Sequence, residues 1–137
     1  MSDRRYYFAV FGDPHPPNKD LVESGIYHPD PSRAPFDARP GDVLVLYCTG
    51  AYLGHEKQVP GVGIVLGVDD ALISYRYVPF SGPVRKPQID KGLTPEDRQK
   101  FGRIRFSTFW LFEISRESFE QVLGSERTRR LELARTS

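Results

Sequence analysis

The sequence predicts an α+β domain that is mainly β, built as a small, strongly bent mixed sheet or open barrel of five to six strands with short flanking helices. Three observations lead there. β-rich apolar runs recur along the chain from residue 4 to residue 114. The helix signals are brief, each held between a capping residue and a glycine. No internal repeat or break in composition divides the 137 residues, a length that can bury one proper core. The domain is therefore expected to span 1–124, followed by a charged tail or short helix over 125–137.

The first strand, 4–11, places Tyr6, Phe8 and Val10 on one face and Tyr7, Ala9 and Phe11 on the other. Both faces are apolar, which predicts a central strand. Asp13 to Pro17 end it, and a short helix follows with Asn18 as N-cap and Gly25 as its stop. Residues 27–40 hold four prolines and predict an irregular loop. Pro40-Gly41 turns into the second strand, 42–48, which stops at the small polar pair Thr49-Gly50. A glycine-containing loop leads to strands 59–68 and 72–80, separated by Asp69-Asp70.

Residues 81–93 read as a basic stretch broken by proline and glycine. Thr94-Pro95-Glu96-Asp97 then starts a short helix, with a capping hydroxyl, proline at the first helical position and acids in the first turn. Strict alternation of Ile104, Phe106, Thr108, Trp110, Phe112 and Ile114 predicts a strand over 103–114. Ser115 caps a last helix, 116–123, whose Phe119, Val122 and Leu123 share one face before Gly124.

Composition narrows the function. At 39% hydrophobic and 27% charged the chain reads as a globular protein, and its longest apolar runs, Tyr6–Phe11 and Val43–Cys48, are too short to span a bilayer. The opening MSDRR lacks the apolar stretch of a secretory signal. The lone Cys48, inside an apolar run, predicts a buried reduced thiol and a cytoplasmic protein. Residues 76–105 carry eight basic residues against three acidic ones, among them Arg76, Arg85, Lys86, Arg103 and Arg105. Such an excess can track a phosphate backbone.

Gly61-x-Gly63-x-x-x-Gly67 misses the dinucleotide-loop spacing and lies in a β-branched run, which predicts a bend or a close backbone approach. His15, His28 and His55 lie in loops without a metal-ligand spacing, so neither a metal nor a cofactor is expected. Among the aromatics Phe11, Tyr47, Tyr52, Phe109 and Trp110, Tyr52 sits in a glycine-flanked loop, which predicts a pocket wall that contributes little to the core.

Tyr7-Phe8-Ala9-Val10 leads into Phe11-Gly12-Asp13-Pro14. Gly41-Asp42 leads through an apolar run to Tyr47-Cys48-Thr49. Gly61-Val62-Gly63-Ile64 follows, and a late strand and helix close the pattern over 103–123. In this order and spacing the segments resemble the EVE family of the PUA-like superfamily, related to the ASCH domains and to the YTH readers of methylated adenine. Phe11 and Gly12 stand where that family has Lys and Ser, and no Arg-Asn pair follows Gly25.

The resemblance implies a barrel-like sheet with helices outside, and a modified base in DNA or RNA held in an aromatic pocket beside a basic surface. Phe11, Asp13, Tyr47, Thr49, Gly50, Tyr52, Ser107 and Trp110 would line that pocket. Tyr47, Tyr52 and Trp110 would stack, Thr49 and Ser107 would read a base edge, and the basic segment would hold phosphate. The expected partner is nucleic acid, not a membrane, and the expected activity is binding without catalysis. Two other readings stand beside it: a small enzyme on a nucleotide or small acid that uses Asp13, His15 or His55, and an interaction domain without a ligand.

Overall fold

Apolar runs that alternate on both faces can be covered only by a core on each side of one sheet, and that is how this chain folds. The computed structural model describes residues 4–11, 22–28, 38–49, 52, 54–69, 72–102, 111–124 and 127. Six strands are present among them: β1 (Tyr6–Phe11), β2 (Ile26–Tyr27), β3 (Val43–Cys48), β4 (Gln58–Asp69), β5 (Leu72–Arg85) and β6 (Leu111–Ile114). They form one sheet in the order β2-β5-β4-β3-β1-β6, with β1 and β3 parallel and the other pairs antiparallel. The architecture is the expected curled, mainly β half-barrel with short helices.

β1 lies between β3 and β6 and is buried along its whole length, as a two-faced apolar strand requires. Tyr6, Phe8 and Val10 join Val43, Val45 and Tyr47 in a core beneath the helices. Tyr7, Ala9 and Phe11 join Leu44, Leu46 and Cys48 in a second core on the concave face. The helices α1 (Lys86–Gly92), α2 (Pro95–Gly102) and α3 (Arg116–Leu123) supply Ile89, Phe101, Phe119, Val122 and Leu123 to the first core. Tyr6 stacks on Phe119 at 4.3 Å between ring centroids, and Phe101 meets Tyr47 edge-on at 4.9 Å.

The curl is visible in one side chain. The Tyr27 hydroxyl, from β2 at one edge of the sheet, accepts from the Val10 N–H at 3.1 Å and donates to the Val10 carbonyl at 2.9 Å. Val10 lies one residue past the last described β1–β6 pair. Strands four positions apart in the order can meet this way only if the sheet bends round on itself. Register shifts between Val59 and Gly61 and between Val65 and Gly67 add local twist.

Three expectations need correction. The β5 strand continues past Phe80 to Arg85, because the residues from Phe80 to Pro83 bulge opposite Pro60 alone and pairing resumes at Val59–Val84. Residues 86–92, read as broken coil, form α1, because Pro87 lies in the first turn, where its missing N–H has no helical partner to lose. Ile26 and Tyr27 form a two-residue strand at the start of the segment read as loop. The helices predicted at 94–102 and 116–123 are present as α2 and α3, each with its hydroxyl cap: Thr94 Oγ1 accepts from the Asp97 N–H and Ser115 Oγ from the Ser118 N–H. Of the strand expected over 103–114, residues 111–114 are β6, and 103–110 lie outside the described residues.

Candidate functional site

β1 and β3 end side by side at one mouth of the half-barrel. Phe11 is the register partner of Cys48, and the Thr49 N–H donates to the Phe11 carbonyl at 2.9 Å. The row continues across the sheet, since Cys48 pairs with Gln58 and Gln58 with Arg85. Directly opposed residues share a face. Phe11 and Cys48 belong to the concave core, which puts Gln58 and Arg85 on that face too. The next pair, Val59 and Val84, lies accordingly in the helix-side core.

The loop after Thr49 folds back on itself. The Tyr52 and Lys57 N–H groups both donate to the Thr49 carbonyl, at 3.1 and 3.5 Å, and the His55 N–H donates to the Tyr52 carbonyl at 3.3 Å. Lys57 adopts the left-handed conformation, with φ at 56°. The Tyr52 ring meets Phe11 edge-on at 6.4 Å and lies 5.9 Å from the His55 ring. Its hydroxyl accepts from the Val22 N–H at 3.2 Å, and the Tyr75 hydroxyl donates to the Val22 carbonyl at 2.6 Å. Two phenols thus clamp the 3-10 turn Val22–Ser24 against the concave core.

Behind the mouth, two tyrosines lie across two glycines of the neighbouring strand. A Cβ on Gly63 would stand 2.4 Å from the Tyr75 ring, and one on Gly61 would stand 2.9 Å from the Tyr77 ring. Gly63 therefore serves close approach of an aromatic ring. Gly61 serves close approach of the β5 backbone, where a Cβ would stand 2.5 Å from the Val78 carbonyl, as well as of the Tyr77 ring. Burial raises the Tyr77 hydroxyl pKa, and the Glu23 carboxylate and Cys48 add to the effect. Burial pushes Tyr52 up to about 12, opposed by its hydrogen bond with Val22 and reinforced by Glu23, Cys48 and Tyr77. Burial, with Glu23 adding, also drives the Cys48 thiol far above its ordinary range, so it stays protonated and unreactive at neutral pH.

The structure brings together Phe11, Thr49 and Tyr52 from the predicted pocket. Tyr47 is separated from them: it faces the helix-side core beside Phe8 and Phe101, and burial, with Asp90 adding, pushes its hydroxyl up to about 12. Tyr52 is 4% exposed, which overturns the expectation that its loop position contributes little to the core. Asp13, Gly50, Ser107 and Trp110 lie outside the described residues, as do Arg103 and Arg105.

Among the basic residues that are described, Arg85 is on the concave face. Arg76 pairs with Ile64 and shares its helix-side face. Lys86 is bound to Asp90 at 2.8 Å and sits 5.3 Å from the Phe101 ring centroid. Lys100 and Arg98 also turn inward on the fold, donating to the carbonyls of Glu113 and of Asp90 and Leu93. Much of the basic excess is spent on tying helices down.

Tyr77 and Gln58 escaped the sequence reading, although Tyr75-x-Tyr77 could have been matched to Gly61-x-Gly63 as a cross-strand aromatic–glycine pattern. Thr49, His55 and Gln58 are partly exposed at the mouth, Tyr77 is partly exposed further in beside Gly61, and the rings of Phe11, Tyr52 and Tyr75 are buried. Such a surface can stack a planar ring and exchange hydrogen bonds with its edge. Among the described residues, no three His, Cys, Asp or Glu side chains are grouped closely enough to hold a metal ion. None of the described helices is long and apolar enough to cross a membrane. No protein-family model matches the chain, and comparison with curated proteins gives no significant similarity.

Proposed function

We propose that the chain is a binding module that recognises a modified base in DNA or RNA at this mouth. The observation that carries the reading is the pairing of Phe11 with Cys48. It brings the ends of two segments that are far apart in sequence, and that each resemble the same family of base readers, onto one tyrosine-rich concave face. The base stacks on Tyr77, Thr49 and its neighbours meet the base edge, and Tyr52 stiffens the wall from behind. A flipped-out base needs an aromatic face and a few polar groups, and both are at hand here.

Titration with a panel of modified nucleosides and short oligonucleotides tests the reading. Stacking on one aromatic contributes roughly 1–3 kcal/mol, so Tyr77→Ala is expected to weaken binding about tenfold or more. Because Tyr77 is partly exposed, the variant should still unfold cooperatively on heating. A wild-type protein that binds no member of the panel removes the reading.

A further inference from the structure

The transverse row Phe11–Cys48–Gln58–Arg85 holds more than a stacking surface. Its first two members are fully buried, and its last two reach solvent. Gln58 is partly buried on the concave face, one strand from Cys48. An amide there offers a donor and an acceptor side by side, the arrangement that reads a base edge in two hydrogen bonds. Arg85 lies one strand further out and is exposed. Adjacent strands are about 4.8 Å apart, so the polar end of the row covers the span over which a base gives way to its sugar and phosphate.

Other features favour the same direction. Lys86, next in the chain, is committed to Asp90 and Phe101, whereas Arg85 ends the row at the mouth; Arg5, which lies beside the Tyr7 hydroxyl, belongs to the opposite end of β1. Lys57, exposed in the turn just before Gln58, stands next to the equally exposed Glu56, so that turn is close to neutral and Arg85 carries the charge of the row. Glu23 is exposed on the turn that Tyr52 and Tyr75 hold through Val22. The concave face thus runs from buried aromatic rings to an amide and a guanidinium at the ends of β4 and β5.

We infer that Gln58 reads the edge of the bound base and that Arg85 holds the phosphate attached to it, so that the site takes a nucleotide in preference to a free nucleoside. The inference rests on the reading of the mouth as a base-binding site. It differs from simple charge attraction, because the phosphate contact belongs to one residue fixed in register with the base-reading amide.

The experiment compares N6-methyladenosine and 5-methylcytidine with their 5′-monophosphates by calorimetric titration of the full chain. The wild type is expected to bind the better monophosphate about tenfold more tightly than its nucleoside. Arg85→Gln should abolish that preference and leave nucleoside affinity unchanged. Gln58→Leu should weaken nucleoside and monophosphate alike, with the phosphate preference kept. Heat denaturation of each variant reports its folding, and Arg85→Lys, which keeps the charge but loses the fork, should retain only part of the preference. A preference that survives Arg85→Gln overturns the inference, as does nucleoside binding with no preference for phosphate. Absence of binding to every probe removes the base-reading site and the inference with it.

Discussion

Tyr52 stands in a loop near glycines, where an aromatic ring has no neighbours in sequence to pack against. In the fold it is 4% exposed, edge-on to Phe11 and bonded to the backbone of Val22. Replacing it with Ala removes a buried ring and leaves the Val22 N–H without its acceptor. Tyr52→Ala is therefore expected to cost about 3–5 kcal/mol in a denaturant titration, the range for large aromatic truncations. On the proposed reading, the partly exposed Tyr77, not Tyr52, is the position where a binding loss would be separable from a folding loss. Nothing local marks this difference, because Tyr52 is buried by a segment that lies 30 residues earlier in the chain. Lys57 is a second residue whose role is set from outside. Its φ of 56° suits glycine better than lysine, and the turn it completes brings Gln58 opposite Cys48.

Among the elements, β4 and β5 show how pattern and packing divide the work. Alternation and β-branched composition are enough to predict both strands, and the glycines are enough to predict a bend. What alternation does not tell is that Tyr75 and Tyr77 lie over Gly63 and Gly61. The Tyr75 ring cannot swing aside freely, since its hydroxyl holds the Val22 carbonyl at 2.6 Å. Gly63→Ala should consequently lower stability by about 1–3 kcal/mol, the usual cost of overpacking. In a Gly63→Ala, Tyr75→Ala double variant the two losses should be less than additive, because the clash disappears with the ring. Equal and additive losses measured by thermal or chemical unfolding would place the ring elsewhere. The α1 helix has the opposite history: its Pro87 looks like an interruption, yet in a first turn it interrupts nothing.

At the scale of the whole molecule, one buried carboxylate joins the helical layer to the sheet. Asp97 Oδ2 accepts from the Ser115 N–H at 2.9 Å and from the hydroxyls of Ser115 and Ser118 at 3.1 and 2.6 Å. Burial alone would raise its pKa. The hydrogen bonds from Ser118 and Ser115, with Lys100 nearby, outweigh that and hold it below the ordinary aspartate value. A depressed pKa adds stability that is fully present above the unfolded value of about 4 and is lost as pH falls through the folded value. Asp97→Asn is expected to cost about 2 kcal/mol at neutral pH, with the gap from wild type narrowing below pH of about 4. Denaturant midpoints measured across that range check it, and a gap that stays constant into acid would show that the charge is not what stabilises the junction.

The sequence by itself determined the class of fold, the two-faced burial of β1, the hydroxyl caps of α2 and α3, and the core positions of Phe119, Val122 and Leu123. These follow from period, propensity and capping, which are local and therefore written in neighbouring residues. Tertiary structure decided the rest: that Tyr47 faces the helices while Phe11 and Tyr52 face the concave side, and that Lys86 is spent on Asp90 and Phe101. It also decided that Phe11, Cys48, Gln58 and Arg85 fall into one row. Strand order, register and bulges place those residues, and each is set by the packing of segments distant in the chain, which local pattern does not encode.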